Sequence, residues 1–290
     1  MNPLKRAERW LRTGIRRQLG RALYTRPGRK FLARYLPSFV TQLCIDCGDH
    51  RLTVSPHELI GRRVIRDGQF SRALVDQVIT RVAADGGFDG GRDVALDIGA
   101  NIGTQTVYFC LSRRFARVLA VEPAPCNLEL LELNVRQNGF DDRVTIVAAA
   151  AGDADGEMML HLDPDNHGGN SLVNTRSARG ATPVPVRRID DMIAAADIDP
   201  ERIALIWMDI EGYEPVACRS MEPLLKRQTP LVTEFQSEFL GPQGSADFIA
   251  YLGSFYRRCV VFPERGAPFE ARVADIRIQR GILDVLLLPG

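Results

Sequence analysis

The chain has 290 residues, of which 45% are hydrophobic and 25% charged, and its formal net charge is +1. That is enough apolar material for one large core plus an extension without staples, and no run nears the roughly eighteen apolar residues of a membrane-crossing helix. The charge is uneven, because residues 1–34 hold eleven Lys or Arg against the single acid Glu8, yet nothing there matches a nucleic-acid-binding motif and no nucleic-acid partner is expected.

Residues 4–23 predict a basic amphipathic helix. Leu11, Ile15, Leu19 and Leu23 recur at helical spacing among Arg9, Arg12, Arg16 and Arg17. The segment lacks the apolar stretch of a secretory signal. It reads first as a helix docked on its own domain, and second as a contact for an anionic membrane surface or acidic glycan. The six cysteines, at 44, 47, 110, 126, 218 and 259, are scattered. They form no disulfide framework and fit a reducing compartment. The expected location is the cytoplasm, with peripheral contact at the inner face of the membrane.

The stretch TQLCIDCGDHRLTV (41–54) alternates like a hairpin turning at Gly48-Asp49. Cys44, Cys47, His50 and His57 prompt a zinc reading, but their spacing fits no standard finger, so strand cysteines and no metal site are expected. SRALVDQVITRVAA (71–84) predicts a helix with Leu74, Val75, Val78, Ile79 and Val82 on one face, and GGFDGG (86–91) stops it.

From there strands and helices alternate. VALDI (94–98) is followed by a helix over 103–112, ARVLAVEP (116–123) by a helix over 126–139 with Gly139 at its end. RVTIVAAAAG (143–152) is a third strand, GEMMLHLDP (156–164) an edge strand, and NHGGNS (166–171) a loop. A short helix lies near 190–196. IALIWMDIEG (203–212), PLVTEFQ (230–236), CVVFP (259–263) and ILDVLLLP (282–289) are further strands, with helices over 214–227 and 246–256. This alternation predicts an α/β fold with a parallel sheet and right-handed crossovers. Ligands in such sheets bind at the carboxyl ends of the strands, where strand order reverses.

The turn DIGANIG (97–103) sits at that place. Glycines between a first strand and a helix let backbone approach a ligand. The dinucleotide fingerprint is G-x-G-x-x-G, whereas this turn is D-x-G-x-x-x-G, and a carboxylate at Asp97 is a poor neighbour for a phosphate and a good one for a cation. Glu122, ending the next strand, can accept hydrogen bonds from ribose hydroxyls. A ligand with a ribose, positive charge and no phosphate fits both, and S-adenosylmethionine has these features. Asn101 and the N–H groups from Gly99 to Thr104 can hold its carboxylate at the helix start.

These motifs resemble the FkbM family of class I methyltransferases. The resemblance is carried by ALDIGANIG (95–103), AVEPAPCNLELLELNVRQNG (120–139), RRIDDM (187–192) and MDIEGYE (208–214), and it covers about residues 55 to 289. It implies a Rossmann-like, seven-stranded, mostly parallel sheet with an antiparallel last strand and helices on both faces. Residues 1–50 would be a basic extension and 51–290 the methyltransferase domain. It also implies an S-adenosylmethionine-dependent O-methyltransferase acting on a hydroxyl of a sugar, glycan precursor or related metabolite. The cofactor would lie against Asp97, Gly99, Ala100, Asn101, Gly103 and Glu122, with adenine near Ala149 to Ala151, Ala150 at the centre. The chain departs from the family pattern at Trp207, where a lysine is frequent, and at Tyr213, where an alanine is common.

Transfer to a hydroxyl needs a place for its proton. Asp209 ends a strand at the cleft and Glu211 follows two residues later. They are candidates to bind or deprotonate the acceptor, to cap the helix opening at Glu214, or to hold a metal through oxygen. His167 is a second candidate base. Glu234 and Gln236 end a strand on the same side and suit a polyol or a loop backbone. A nicotinamide-dependent oxidoreductase and a non-catalytic binding domain on the same fold are the alternatives.

Overall fold

Residues 20–290, apart from residues 174, 177, 264–265 and 278–281, are described by the structure, a computed structural model. The chain divides into two units, Met1–Phe70 and Ser71–Gly290. The expected junction at residue 50 falls in the turn of a hairpin within the first unit. Most of the basic helix expected over 4–23 lies outside the described residues.

In the first unit, Thr25 caps α1 (Arg26–Tyr35) by accepting from the Gly28 N–H at 3.2 Å. The hairpin expected from alternation is present as β1 (Leu43–Asp46) and β2 (Arg51–Val54), with Cys44 opposite Thr53. Gly48 takes φ +100° at its tip. His50, in the hairpin turn, pairs with Asp49 at 2.7 Å, and His57, beyond β2, meets the Val40 carbonyl at 2.8 Å. Glu58 caps α2 (Leu59–Asp67) through the Ile60 and Gly61 N–H groups, and left-handed Gly68 ends it.

The second unit opens with α3 (Arg72–Ala84), then β3 (Val94–Ile98), α4 (Thr104–Leu111), β4 (Arg117–Val121), α5 (Pro125–Gln137) and β5 (Val144–Val147). The expected strand over 143–152 is broken, because β6 (Ala150–Gly152) leaves the main sheet. It joins β7 (Gly156–His161) and β8 (Ala181–Arg188) in a separate sheet ordered β6-β8-β7. β8 carries Pro183 and Pro185, and prolines argue against a central strand. β6 begins to pair only at Val186, so the proline-bearing half has a neighbour on one side alone.

The chain continues through α6 (Ile189–Ala195), β9 (Ile203–Met208), α7 (Glu214–Ala217), α8 (Glu222–Lys226), β10 (Leu231–Gln236), α9 (Ser237–Gly253), β11 (Arg258–Pro263), β12 (Phe269–Arg272) and β13 (Ile282–Leu288). The helix expected over 214–227 is two short helices joined by a tighter turn over Cys218–Met221. α9 begins nine residues before its expected start and kinks at Gly241, just before Pro242.

The main sheet runs β12-β11-β13-β10-β9-β3-β4-β5. β10, β9, β3, β4 and β5 are parallel neighbours, and β13 is antiparallel to both β10 and β11. The seven strands expected are present, with the last strand antiparallel, and the short exposed β12 adds an eighth at the edge. Every residue of β3 and β9 is buried, as befits strands covered on both faces. Strand order reverses between β3 and β9, so the crevice opens at the ends of these two strands. Among the described residues no helix is long and apolar enough to cross a membrane.

Candidate active site

The turn after β3 contains three residues with positive φ: Gly99 at +88°, Asn101 at +51° and Gly103 at +84°. The Gly99 and Ala100 N–H groups both donate to the Val121 carbonyl at 2.9 Å, which locks the turn to the end of β4. A Cβ on Gly99 would stand 1.9 Å from the Asp209 carbonyl oxygen, so only glycine lets the ends of β3 and β9 come this close. A Cβ on Gly103 would meet Leu131 at 2.6 Å, where α4 packs on α5. Asn101 tolerates its left-handed backbone and accepts from the Ile102 N–H at 2.7 Å through Oδ1.

Glu122 lies buried at the end of β4. Its Oε2 accepts from the Asn101 N–H at 2.8 Å, and its Oε1 from the Ala124 N–H at 2.9 Å and the Asn127 amide at 3.2 Å. A carboxylate has about four acceptor positions, so three are used inside the protein and one remains. Burial pushes this carboxyl up to about 7, against the pull of the three donors.

A cleft forms here. Gly99, Asn101, Glu122 and Ala150 line one part of it, with Ala149 and Ala151 as neighbours, and His167, Asp209 and Glu211 line another. Seven of the expected site residues thus meet at one place. Asp97, Ala100, Gly103 and Thr104 are not among the lining residues. Ala100, Gly103 and Thr104 belong to the packed turn and helix start behind it.

Asp97, expected to meet a cation, turns its side chain inward, away from the cleft lining. Its fully buried carboxylate accepts from the Thr106 hydroxyl of α4, so it braces α4 against β3. Burial moves it up to about 7, with Asp209 and Glu122 adding to the rise.

The loop after β7 is closed over the cleft by backbone pairing between His161 and Ser171, and the Ser171 hydroxyl donates to the Glu211 carbonyl at 2.8 Å. Three polar atoms at the cleft are shut off from solvent without a hydrogen-bond partner: His167 Nδ1, Asn170 Nδ2 and Asp209 Oδ1. Such atoms are costly unless something satisfies them. Burial also lowers the His167 pKa, keeping its imidazole neutral near pH 7.

Past β9, neither Glu211 nor any other side chain caps the helix opening at Glu214, and Glu214 reaches back into the turn before it. Its buried carboxylate accepts from the Ile210 N–H at 2.9 Å and the Gly212 N–H at 3.0 Å, tying down the turn. Glu211, at φ +55°, is thereby free to face the cleft. The Gln236 amide donates to Glu234 at 2.6 Å and Glu211 at 3.3 Å. Burial raises Asp209 above the usual carboxylate range, and burial with the repulsion of neighbouring carboxylates raises Glu211 and Glu234.

Residues 97–259 match the model of the methyltransferase FkbM domain. The chain belongs to the FkbM methyltransferase family. The matched segment begins at Asp97 and spans the FkbM domain from the glycine turn to β11. No curated protein matches the chain. Among solved structures, methyltransferase FkbM from Methylobacillus flagellatus KT is similar at 21% identity and TM-score 0.44 over 67% of this chain. This chain spans 43% of the length of that protein. The O-methyltransferase from Bacillus cereus in complex with SAH is similar at 13% identity and TM-score 0.39, covering 74% of this chain and 90% of that one. Precorrin-6y C5,15-methyltransferase from Geobacter metallireducens GS-15 is similar at 14% identity and TM-score 0.40, covering 75% and 87%.

Asn127, Asn170 and Glu214 were missed from sequence. Asn127 could have been found five residues after Glu122 on the facing helix turn, and Glu214 at the first position of a helix opening Glu-Pro. Asn170 carries no signal of its own inside a Gly/Asn-rich loop.

Proposed function

We propose that this FkbM-family chain is an S-adenosylmethionine-dependent O-methyltransferase acting on a hydroxyl of a sugar, glycan precursor or related hydroxylated metabolite. The observation that carries the cofactor is Glu122, a buried carboxylate at the end of β4 with one acceptor position left beside a cleft. That position suits one ribose hydroxyl. The unpartnered atoms of His167, Asn170 and Asp209 fit a ligand that brings its own donors and acceptors. Ala149 to Ala151 present a small-residue wall to the cleft, which suits the face of a flat base.

Bound there, S-adenosylmethionine supplies a methyl group carried on a positively charged sulfonium. The chain's own part is to align, exclude water and take a proton. Asp209 Oδ1 and His167 Nδ1 are the atoms free to accept the acceptor's hydroxyl proton, and a positioned base of this kind typically contributes about 10²–10⁴-fold. Glu211, held by Gln236, is placed to bind the acceptor.

Titration calorimetry with S-adenosylhomocysteine tests the cofactor. Saturable binding is expected for the wild type, weakened roughly tenfold to a hundredfold by Glu122→Ala, with no binding of NAD⁺ run beside it. A folded wild type that ignores S-adenosylhomocysteine would end this reading, and binding of NAD⁺ alone would turn it to the oxidoreductase.

This reading places the enzyme in the cytoplasm with a peripheral contact at an anionic membrane face. It is supported by the basic residues 1–34 and by the exposed Tyr24, Phe31, Tyr35 and Phe39 in and around α1. Wild type should sediment with vesicles containing anionic lipid, and Phe31→Ser with Tyr35→Ser should lose most of that binding. Equal sedimentation of both would remove α1 from the contact.

A further inference from the structure

We infer that Asp209, Glu211 and Glu234 form a binding site for a hard divalent cation of the Mg²⁺ or Mn²⁺ kind. One ligand oxygen from each lies within 4.8 Å of the others. Two oxygens on opposite sides of an ion, each about 2.1–2.4 Å from it, stand about 4.2–4.8 Å apart, so this spacing admits one shared ion. The donor set is oxygen alone, which suits Mg²⁺, Mn²⁺ or Ca²⁺ and disfavours zinc or copper.

A second observation points to a ligand. Asp209 is half-buried at the wall of the cleft, and its Oδ1 is shut off from solvent and without a hydrogen-bond partner. A carboxylate oxygen left in that state is costly unless it meets a cation or a donor. The surroundings supply little. Among the described residues no Lys, Arg or His forms an ion pair with any of the three, and the one side-chain donor recorded to them is the Gln236 amide, shared between Glu211 and Glu234. Asp284 adds a fourth carboxyl, directly opposite Glu234 on β13. Like charges opposite one another on paired strands destabilise a sheet, and a bound dication offsets that repulsion.

The strand register makes the site. Thr233 pairs with Met208, which sets their successors Glu234 and Asp209 side by side where β10 and β9 end. Glu211 is added by the turn that Glu214 holds. On the reading that the acceptor enters this cleft, the cation would take neighbouring oxygens of a polyhydroxyl acceptor, orienting it and making its hydroxyl more acidic, with Asp209 then a cation ligand and the proton left to His167 Nδ1.

The test uses Mn²⁺ alone, followed by electron paramagnetic resonance and by thermal unfolding, without cofactor or acceptor. Wild type is expected to bind Mn²⁺ saturably, to gain melting temperature on binding, and to release the ion to competing Mg²⁺. Glu234→Gln keeps the shape and relieves repulsion, so it should fold while binding Mn²⁺ at least tenfold more weakly, and Glu211→Gln should behave alike. Glu222→Gln, on the surface beside Lys226, should bind as wild type. Absence of saturable Mn²⁺ binding, or binding unchanged in both Glu234→Gln and Glu211→Gln, overturns the site. S-adenosylhomocysteine calorimetry on the same samples separates the two ideas: cofactor binding without Mn²⁺ binding removes the cation site alone, and Mn²⁺ binding without cofactor binding keeps the site and removes the methyltransferase reading.

Discussion

Replacing Gly99 with alanine is expected to be the most damaging glycine-to-alanine change in the second unit. Its backbone holds φ +88°, a left-handed conformation that costs an L-residue about 1–2 kcal/mol. The new Cβ would also stand 1.9 Å from the Asp209 carbonyl oxygen, which is backbone and cannot rotate aside. Ile98 and Asp209 are joined there by a 3.0 Å hydrogen bond, so relief requires β3 and β9 to part at the crevice. We expect a loss of roughly 3 kcal/mol or more in denaturant unfolding, and S-adenosylhomocysteine binding too weak to measure. Gly139→Ala is the comparison, because nothing lies within 4 Å of its added Cβ despite φ +72°; it should lose only the backbone part, about 1–2 kcal/mol. Equal losses in the two variants would show that the approach of Gly99 to Asp209 does not limit the site.

The second large effect concerns acidity. The Asp97 carboxyl is moved from an ordinary 3.8 to about 7, chiefly by burial, and Glu122 is moved from 4.5 to about 7 for the same reason. Both hold protons in the folded chain that the unfolded chain releases near pH 4. Between about pH 4 and pH 7 the folded state therefore binds more protons, and stability falls as pH rises through that window. Melting temperature should be higher near pH 5 than near pH 8. Asp97→Asn keeps an acceptor for the Thr106 hydroxyl and carries no charge, so it should flatten the slope, by on the order of 4 kcal/mol at most for that group. It should also retain S-adenosylhomocysteine binding, since Asp97 faces α4. A slope unchanged in Asp97→Asn would show that this carboxyl is ionised throughout, and loss of binding would return Asp97 to the ligand.

The parts of the fold that could be read from sequence are those set by local chemistry. Continuous apolar runs marked β3 and β9, glycines marked the turn after β3, and alternation marked the hairpin. β8 was hidden by its two prolines, which ordinarily exclude a strand, and β12 by being four residues long and mostly exposed. The site divides in the same way. Glu122 and the glycine turn were visible because strand ends in such sheets have a known orientation. The bracing role of Asp97 was not, because its partner Thr106 lies on the helix and only packing decides which way a buried carboxylate turns. Glu234 was recognised as a strand-end acid, but its nearness to Asp209, 25 positions away, follows from the register of β10 on β9 and has no local sign.

The place of β13 has a consequence for how the molecule is made. This strand is hydrogen-bonded to β10 on one side and β11 on the other, yet it follows both in the chain. While the polypeptide is being synthesised, β10 and the β11–β12 pair have to wait with bare edges until β13 emerges, since no shorter-range partner can fill the gap. Loop closure over such separations is slow, and unpaired edges are where chains stick to one another. The acidic end of the cleft is completed in the same step, because Asp284 travels on β13. Assembly of the sheet and of that end of the site is therefore one late event, which leaves the unfinished chain dependent on protection of its edges and without its full set of carboxyls.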